Sequence, residues 1–228
     1  MNSASKMRVI SVNVGQPRKV LVNGEIVETG IYKAPVEGRV AIRRLNIDGD
    51  RQADLTVHGG WDKAAYAYPI EHYEYWQEQF PEMDLPWGMF GENLSIKGLF
   101  EDAVHIGDHF QVGTARLMVT QPRLPCYKLG IKFEREDIIK RFLVSGRTGF
   151  YFAVLEEGMV AAGDPITLLH RDEHDITIAD IVRLYREDKY NVELMRRVVA
   201  VDALPEEWRE YFQERLERIT QIRARKPP

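Results

Sequence analysis

Short β-type runs closed by glycine, proline or Asn-Gly turns recur from Met7 to His170, and that punctuation constrains the fold more than any single residue does. Residues 7–14, Met-Arg-Val-Ile-Ser-Val-Asn-Val, partly alternate apolar with polar, which suits a half-buried first strand. Lys19-Val20-Leu21-Val22 then faces Glu25-Ile26-Val27 across Asn23-Gly24, a pair that supplies the positive φ angles of a type I′ hairpin turn. Residues 40–47 and 53–57 predict two further strands, parted by the Asp48-Gly49-Asp50 turn. Residues 116–121, 150–155 and 165–169 predict three more. Two helical patterns interrupt the series, one over 64–80 with Pro69 opening the helix proper, and one over 134–144 closed by Ser145-Gly146. The sum is a mainly β chain with inserted helices. Roughly seven to ten short strands leave the fewest exposed edges when curled into a closed or nearly closed mixed barrel.

From Arg171 onward the pattern changes, which divides the chain into a β domain over 1–170 and a helical domain over 171–228. Thr177 with Asp180 forms a capping-box start, Asn191 caps a second helix and Pro205 opens a third. Trp208, Tyr211, Phe212, Leu216 and Ile219 give the third an apolar stripe. Its glutamates, Glu206, Glu207, Glu210, Glu214 and Glu217, would repel phosphates, so the three helices read as a packing or partner-docking unit and not as a DNA-binding helix-turn-helix.

Charge supports that exclusion: 31 Lys+Arg stand against 35 Asp+Glu, so no basic field draws the chain to nucleic acid or an anionic membrane. Apolar runs are too short to span a bilayer, and Met1-Asn2-Ser3-Ala4-Ser5-Lys6 lacks the apolar centre of a signal peptide. A cytoplasmic protein with a reduced cysteine is expected.

That cysteine is the chain's only one, in Gln121-Pro122-Arg123-Leu124-Pro125-Cys126-Tyr127-Lys128. Two prolines force the segment out of the sheet as a shaped loop, and Arg123 and Lys128 favour thiolate, the form that attacks electrophiles or binds metals. A lone cysteine also serves as a small buried hydrophobe. Upstream, His58-Gly59-Gly60-Trp61-Asp62-Lys63 is either a plain turn or a loop whose backbone N–H groups cradle an anion. Asn93, in Phe90-Gly91-Glu92-Asn93-Leu94, suits either a heterocycle edge or turn geometry. His72 sits on the aromatic face of the first helix and reads as packing.

Taken in order, the segments at 52–63, 90–94, 106–108 and 121–126 resemble the MOSC family, named after the C-terminal domain of molybdenum cofactor sulfurase, in its YiiM-type branch with a C-terminal three-helix domain. The resemblance implies a MOSC β-barrel binding the molybdenum cofactor, molybdopterin with its molybdenum, in which Cys126 is the metal ligand and catalytic residue. Lys63, Arg123 and the Gly59-Gly60 backbone are implied for the cofactor phosphate, with His58 and Asn93 for the pterin or substrate; Arg147 is added from its position in Ser145-Gly146-Arg147-Thr148-Gly149. The implied activity is reduction of N-hydroxylated compounds, base analogues such as 6-hydroxylaminopurine among them. Neither an iron–sulfur cysteine cluster nor a full Rossmann fingerprint is present, so a separate electron-donating reductase is implied as partner. Two other functions fit the same residues: a sulfur-carrier or thiol enzyme using a Cys126 persulfide with His58 as base, and a non-catalytic pterin- or nucleotide-binding module.

Overall fold

The computed structural model describes residues 7–53 and 59–225. In chain order the elements are β1 (Arg8–Val14), β2 (Arg18–Val22), β3 (Glu25–Thr29), β4 (Ala34–Pro35), β5 (Val40–Ile42), a 3-10 turn (Trp61–Lys63), β6 (Ala65–Pro69), α1 (Glu71–Gln79), β7 (Leu94–Lys97), β8 (His109–Val112) and β9 (Ala115–Pro122). They continue with α2 (Tyr127–Phe133), α3 (Asp137–Ser145), β10 (Phe150–Glu156), β11 (Gly158–Val160), β12 (Ile166–His170), α4 (Ile178–Arg186), α5 (Val192–Val199) and α6 (Glu206–Arg225).

Eight of these strands form one sheet in the order β12-β8-β9-β10-β6-β7-β1-β4, antiparallel except for the parallel pair β6 and β7. Parallel neighbours need a crossover, and α1 lies within it. Of the closed or nearly closed barrel expected, the closed form is not found, because no ladder among the described residues joins the two ends of the sheet. Closure is limited to a seam in which Val9 N–H donates to the Asp164 carbonyl at 2.9 Å, Ile166 N–H donates to the Met7 carbonyl at 2.8 Å, and Arg8 faces Pro165 in an isolated bridge. Pro165 has no N–H to extend that bridge into a ladder.

The Asn23-Gly24 hairpin forms as expected, with φ of 51° and 85° at its two turn residues and Val22 opposite Glu25. The predicted strand over 40–47 stops at Ile42. Arg43 N–H donates to the Asn46 carbonyl at 2.7 Å and Ile42 bridges Ile47, so the segment doubles back, held by Arg43 against Asp48 and Glu157. Of the strand expected over 53–57, all but Ala53 lies outside the described residues. The helix expected over 64–80 is half strand: Ala65 to Pro69 are all buried between β10 and β7, and α1 begins only at Glu71. The helix expected over 134–144 forms as α3, starting at Asp137; α2, which ends at Phe133, precedes it without having been expected, and Glu134 with φ of 51° parts the two. In the C-terminal region the Thr177–Asp180 capping box and the Asn191 cap both form.

Alternation along β1, β9 and β10 turns Val9, Val12, Leu117, Val119, Phe150 and Phe152 into one core, and that core runs without interruption into Ile181, Leu184, Val198 and Phe212 of the C-terminal helices. A second, aromatic cluster packs α1 and α3 on β6 through Tyr68, Trp76, Phe90 and Phe142. It braces the chain between Arg147 and Gly149. There Tyr66 Oη donates to the Thr148 carbonyl at 2.7 Å and Tyr68 Oη to the Arg147 carbonyl at 3.2 Å. Gly149 has φ of 60°, and a Cβ on it would lie 2.3 Å from the Ala67 carbonyl oxygen, so only glycine fits.

Candidate functional site

β9 ends at Pro122, paired with Phe150, and the next N–H, that of Arg123, reaches the Gly149 carbonyl at 3.4 Å. The chain then leaves the sheet. Leu124 and Pro125 carry it to Cys126, which is extended and half-buried, and whose carbonyl accepts from Leu129 N–H at 2.9 Å as α2 begins. The expectation of a shaped loop at a strand end is therefore met, and the sulfur stands where two clefts meet.

The first cleft spans about 590 Å³ of space that opens to solvent and is lined by Thr29, Gly30, Ile31, Lys33, Arg51, Gln52, Ala53, Lys63, Tyr66, Gly91, Asn93, Arg123, Cys126, Lys128 and Tyr151. Among the described residues that line it, five are cationic and none is acidic. Lys33 is committed to Asp50, in a buried ion pair that Asn93 Nδ2 also joins, at 2.9 Å from Asp50 Oδ2. Arg123 is different: it is 6% exposed, and its Nη1 is buried with no hydrogen-bond partner among the described residues. Burial works against its charge, but Tyr66, Tyr151, Cys126 and Tyr68 around it more than compensate. Its guanidinium also lies 5.4 Å from the ring centres of both Tyr66 and Phe142. At the edge of this group Lys132 donates to the carbonyls of Ile31 and Gly88, and burial lowers its pKa to about 8. Nearby cations would be repelled by one another unless an anion came between them.

The second cleft has about 930 Å³ of empty space and lies between the cysteine loop and the C-terminal helices, with Pro122, Leu124 and Pro125 on one side and Tyr185, Glu207, Trp208 and Tyr211 on the other. Gln121 ties its walls together. Trp208 Nε1 donates to Gln121 Oε1 at 2.9 Å, and Gln121 Nε2 donates to Asp62 Oδ2 at 2.5 Å, so α6 is linked through β9 to the turn that carries Lys63. Lys63, Cys126 and Tyr151 line both clefts.

The MOSC domain family matches residues 54–167, half of the chain. This protein belongs to the MOSC family. Residues 176–218 match the YiiM-like 3-alpha helix domain, so the family's YiiM-like branch accounts for α4 to α6 as well. YflK of Bacillus subtilis strain 168 is 42% identical over 214 residues, covering 94% of this chain and 96% of that protein. The crystal structure of YiiM from Geobacillus stearothermophilus superposes with a TM-score of 0.78 at 38% identity, covering 92% of this chain and 99% of that one. A protein named as a reductase in Gibberella moniliformis is 33% identical over 190 residues, which are 82% of this chain but 34% of the fungal one.

Within this MOSC fold the structure gathers Cys126, Lys63, Arg123 and Asn93 at one cleft. Asn93 lines it with its amide already engaged: Oδ1 accepts from Tyr66 N–H at 3.1 Å, while Nδ2 donates to the Asn13 carbonyl and to Asp50. It shapes the wall. Gly59 and Gly60 are not among the lining residues; Gly60, at φ of 118°, sets up the turn that presents Lys63. Arg147 is also absent from the cleft, because its guanidinium is stacked on the Tyr75 ring at 3.9 Å. His58 lies outside the described residues. Sequence reading missed Lys33, Arg51, Tyr66, Tyr151 and the aromatic wall supplied by Tyr185 and Trp208. Of these only Arg51 had a local signal, since it adjoins the segment beginning at Gln52.

Proposed function

We propose that this protein binds the molybdenum cofactor through Cys126 and reduces N-hydroxylated compounds, with electrons taken from a separate reductase. The observation that carries this reading is the buried Arg123 Nη1, unpartnered among the described residues, in a cleft whose described lining is cationic, beside a half-buried cysteine. Thiolate is a soft ligand suited to molybdenum, and a phosphate would complete Arg123, so the donor set fits both ends of the cofactor. Arg123, Lys63, Arg51 and Lys128 hold the phosphate end, and Cys126 ligates the metal. When bound, the cofactor supplies two-electron chemistry for removing oxygen from nitrogen.

The second cleft is the substrate side. Trp208, Tyr211 and Tyr185 offer flat apolar faces for a planar base such as 6-hydroxylaminopurine, and Glu207 at the rim accepts from its N–H edge. The fungal relative's name and its greater length support a reductase whose electron-supplying parts lie outside the segment shared with this chain.

The test is protein made in a host that synthesises the cofactor. Molybdenum and pterin should be recovered near one per chain, and dye-reduced protein should convert 6-hydroxylaminopurine to adenine, whereas NAD(P)H alone should not sustain turnover. Sulfane sulfur on Cys126 with no molybdenum would replace this reading with a sulfur carrier.

A further inference from the structure

If the reduction proposed above is the activity, each turnover consumes protons as well as electrons. In R–NH–OH + 2e⁻ + 2H⁺ → R–NH₂ + H₂O the N–O bond breaks and one N–H and one O–H bond form. The two electrons come from a reduced flavin or iron–sulfur protein. One proton ends on nitrogen and the other on the departing oxygen, which leaves as water. At least the second proton has to reach the oxygen as the N–O bond breaks, and a positioned side chain delivers it more effectively than solvent does.

Groups able to do so must face both the cofactor and the substrate, and among the described residues three line both clefts: Lys63, Cys126 and Tyr151. Cys126 is the metal ligand in this reading, and Lys63 answers the charge of the phosphate. We infer that the Tyr151 phenol is the catalytic acid, donating its proton to the departing oxygen and recovering one from solvent through the second cleft.

Placement supports the role. Tyr151 is fixed on β10 opposite Gln121 of β9 on one side and Tyr66 of β6 on the other, so its backbone cannot drift. Its ring rests 5.2 Å from that of Tyr66. Burial raises the pKa of the phenol, partly opposed by Arg123 beside it, with Cys126 and Asp62 within electrostatic reach. The phenol is therefore protonated at neutral pH, as a donor must be, and Arg123 stabilises the phenolate that donation leaves behind.

Tyr151→Phe keeps the ring and its packing, so molybdenum content per chain and thermal melting should match the wild type while kcat falls about a hundredfold or more. Replacing Tyr151 with a fluorinated tyrosine, whose phenol is more acidic, should restore turnover and move the alkaline limb of the kcat profile to lower pH. In cofactor-free protein, the ultraviolet phenolate titration of wild type minus Tyr151→Phe should show this phenol still protonated at about pH 10. A phenol ionised near neutrality in that difference, or a full-kcat Tyr151→Phe protein beside an active wild type, overturns the assignment alone. A molybdenum-replete wild type inert towards every N-hydroxy compound overturns the reduction reading and this assignment together.

Discussion

Replacing Arg123 with methionine should move stability and cofactor affinity in opposite directions. Methionine keeps most of the buried stem volume but removes a charge that is 6% exposed, with Nη1 unpartnered among the described residues. An unsatisfied buried donor costs about 1–3 kcal/mol, and the cation–π contacts to Tyr66 and Phe142 return roughly 0.5–2 kcal/mol, so the two nearly cancel in the cofactor-free protein. Urea unfolding of cofactor-free Arg123→Met should therefore give a free energy within about 1 kcal/mol of the wild type, or higher. With cofactor the sign reverses, because a charge-assisted phosphate contact of about 1.5–3 kcal/mol is lost, which weakens binding roughly ten- to a hundredfold. Molybdenum and phosphate retained after exhaustive dialysis measure this directly. A variant that unfolds several kcal/mol early yet holds its cofactor would make Arg123 a structural residue and refute the reasoning.

Cys126→Ser should abolish molybdenum content with little loss of stability, since the half-buried side chain fills little core; a molybdenum-replete serine variant that turns over would contradict the ligand assignment. Asp50→Asn leaves the Lys33 ammonium buried without its counter-charge and should cost about 3–5 kcal/mol in chemical unfolding, far more than a surface exchange would. Lys132 gives a pH signature: burial lowers its pKa from 10.5 to about 8, so across that window the unfolded chain binds more protons and this group's contribution makes stability rise with pH. Lys132→Met should show its stability advantage over wild type below about pH 8 and lose it toward 10.5; a difference independent of pH would place the ammonium in water.

Elements governed by local chemistry were legible in the sequence. The Asn23-Gly24 turn, the Thr177 and Asn191 caps and the proline exit at Pro122 each rest on neighbours a few residues away, and each forms. Where distant partners decide, the sequence misled. Ala-Tyr-Ala-Tyr-Pro at 65–69 shares a three- and four-residue aromatic spacing with α1, yet sheet neighbours on both sides draw it into a strand. The site divides the same way. Cys126, Lys63 and Arg123 stand in recognisable segments, whereas Tyr151 and Trp208 sit in ordinary strand and helix patterns and become site residues only because β10 and α6 meet the cysteine loop. Arg147 lies outside the cleft for a like reason, since Tyr75, far from it in sequence, takes its guanidinium.

The seam between Met7–Val9 and Asp164–Ile166 also has a consequence for how the chain emerges from the ribosome. β1 is made before all of its partners: it pairs with β4 at Ala34–Pro35, then with β7, and last with residues around Pro165. At translation rates of about 5–20 residues per second, roughly 8–30 s pass between synthesis of Val9 and of Pro165. Through that interval the seam end of β1 waits in the nascent chain without its last partner, a target for chaperones that hold exposed β segments and for pairing with neighbouring chains on the same message. Slowing elongation after residue 97 should therefore lower soluble yield, while speeding it through 98–165 should raise it.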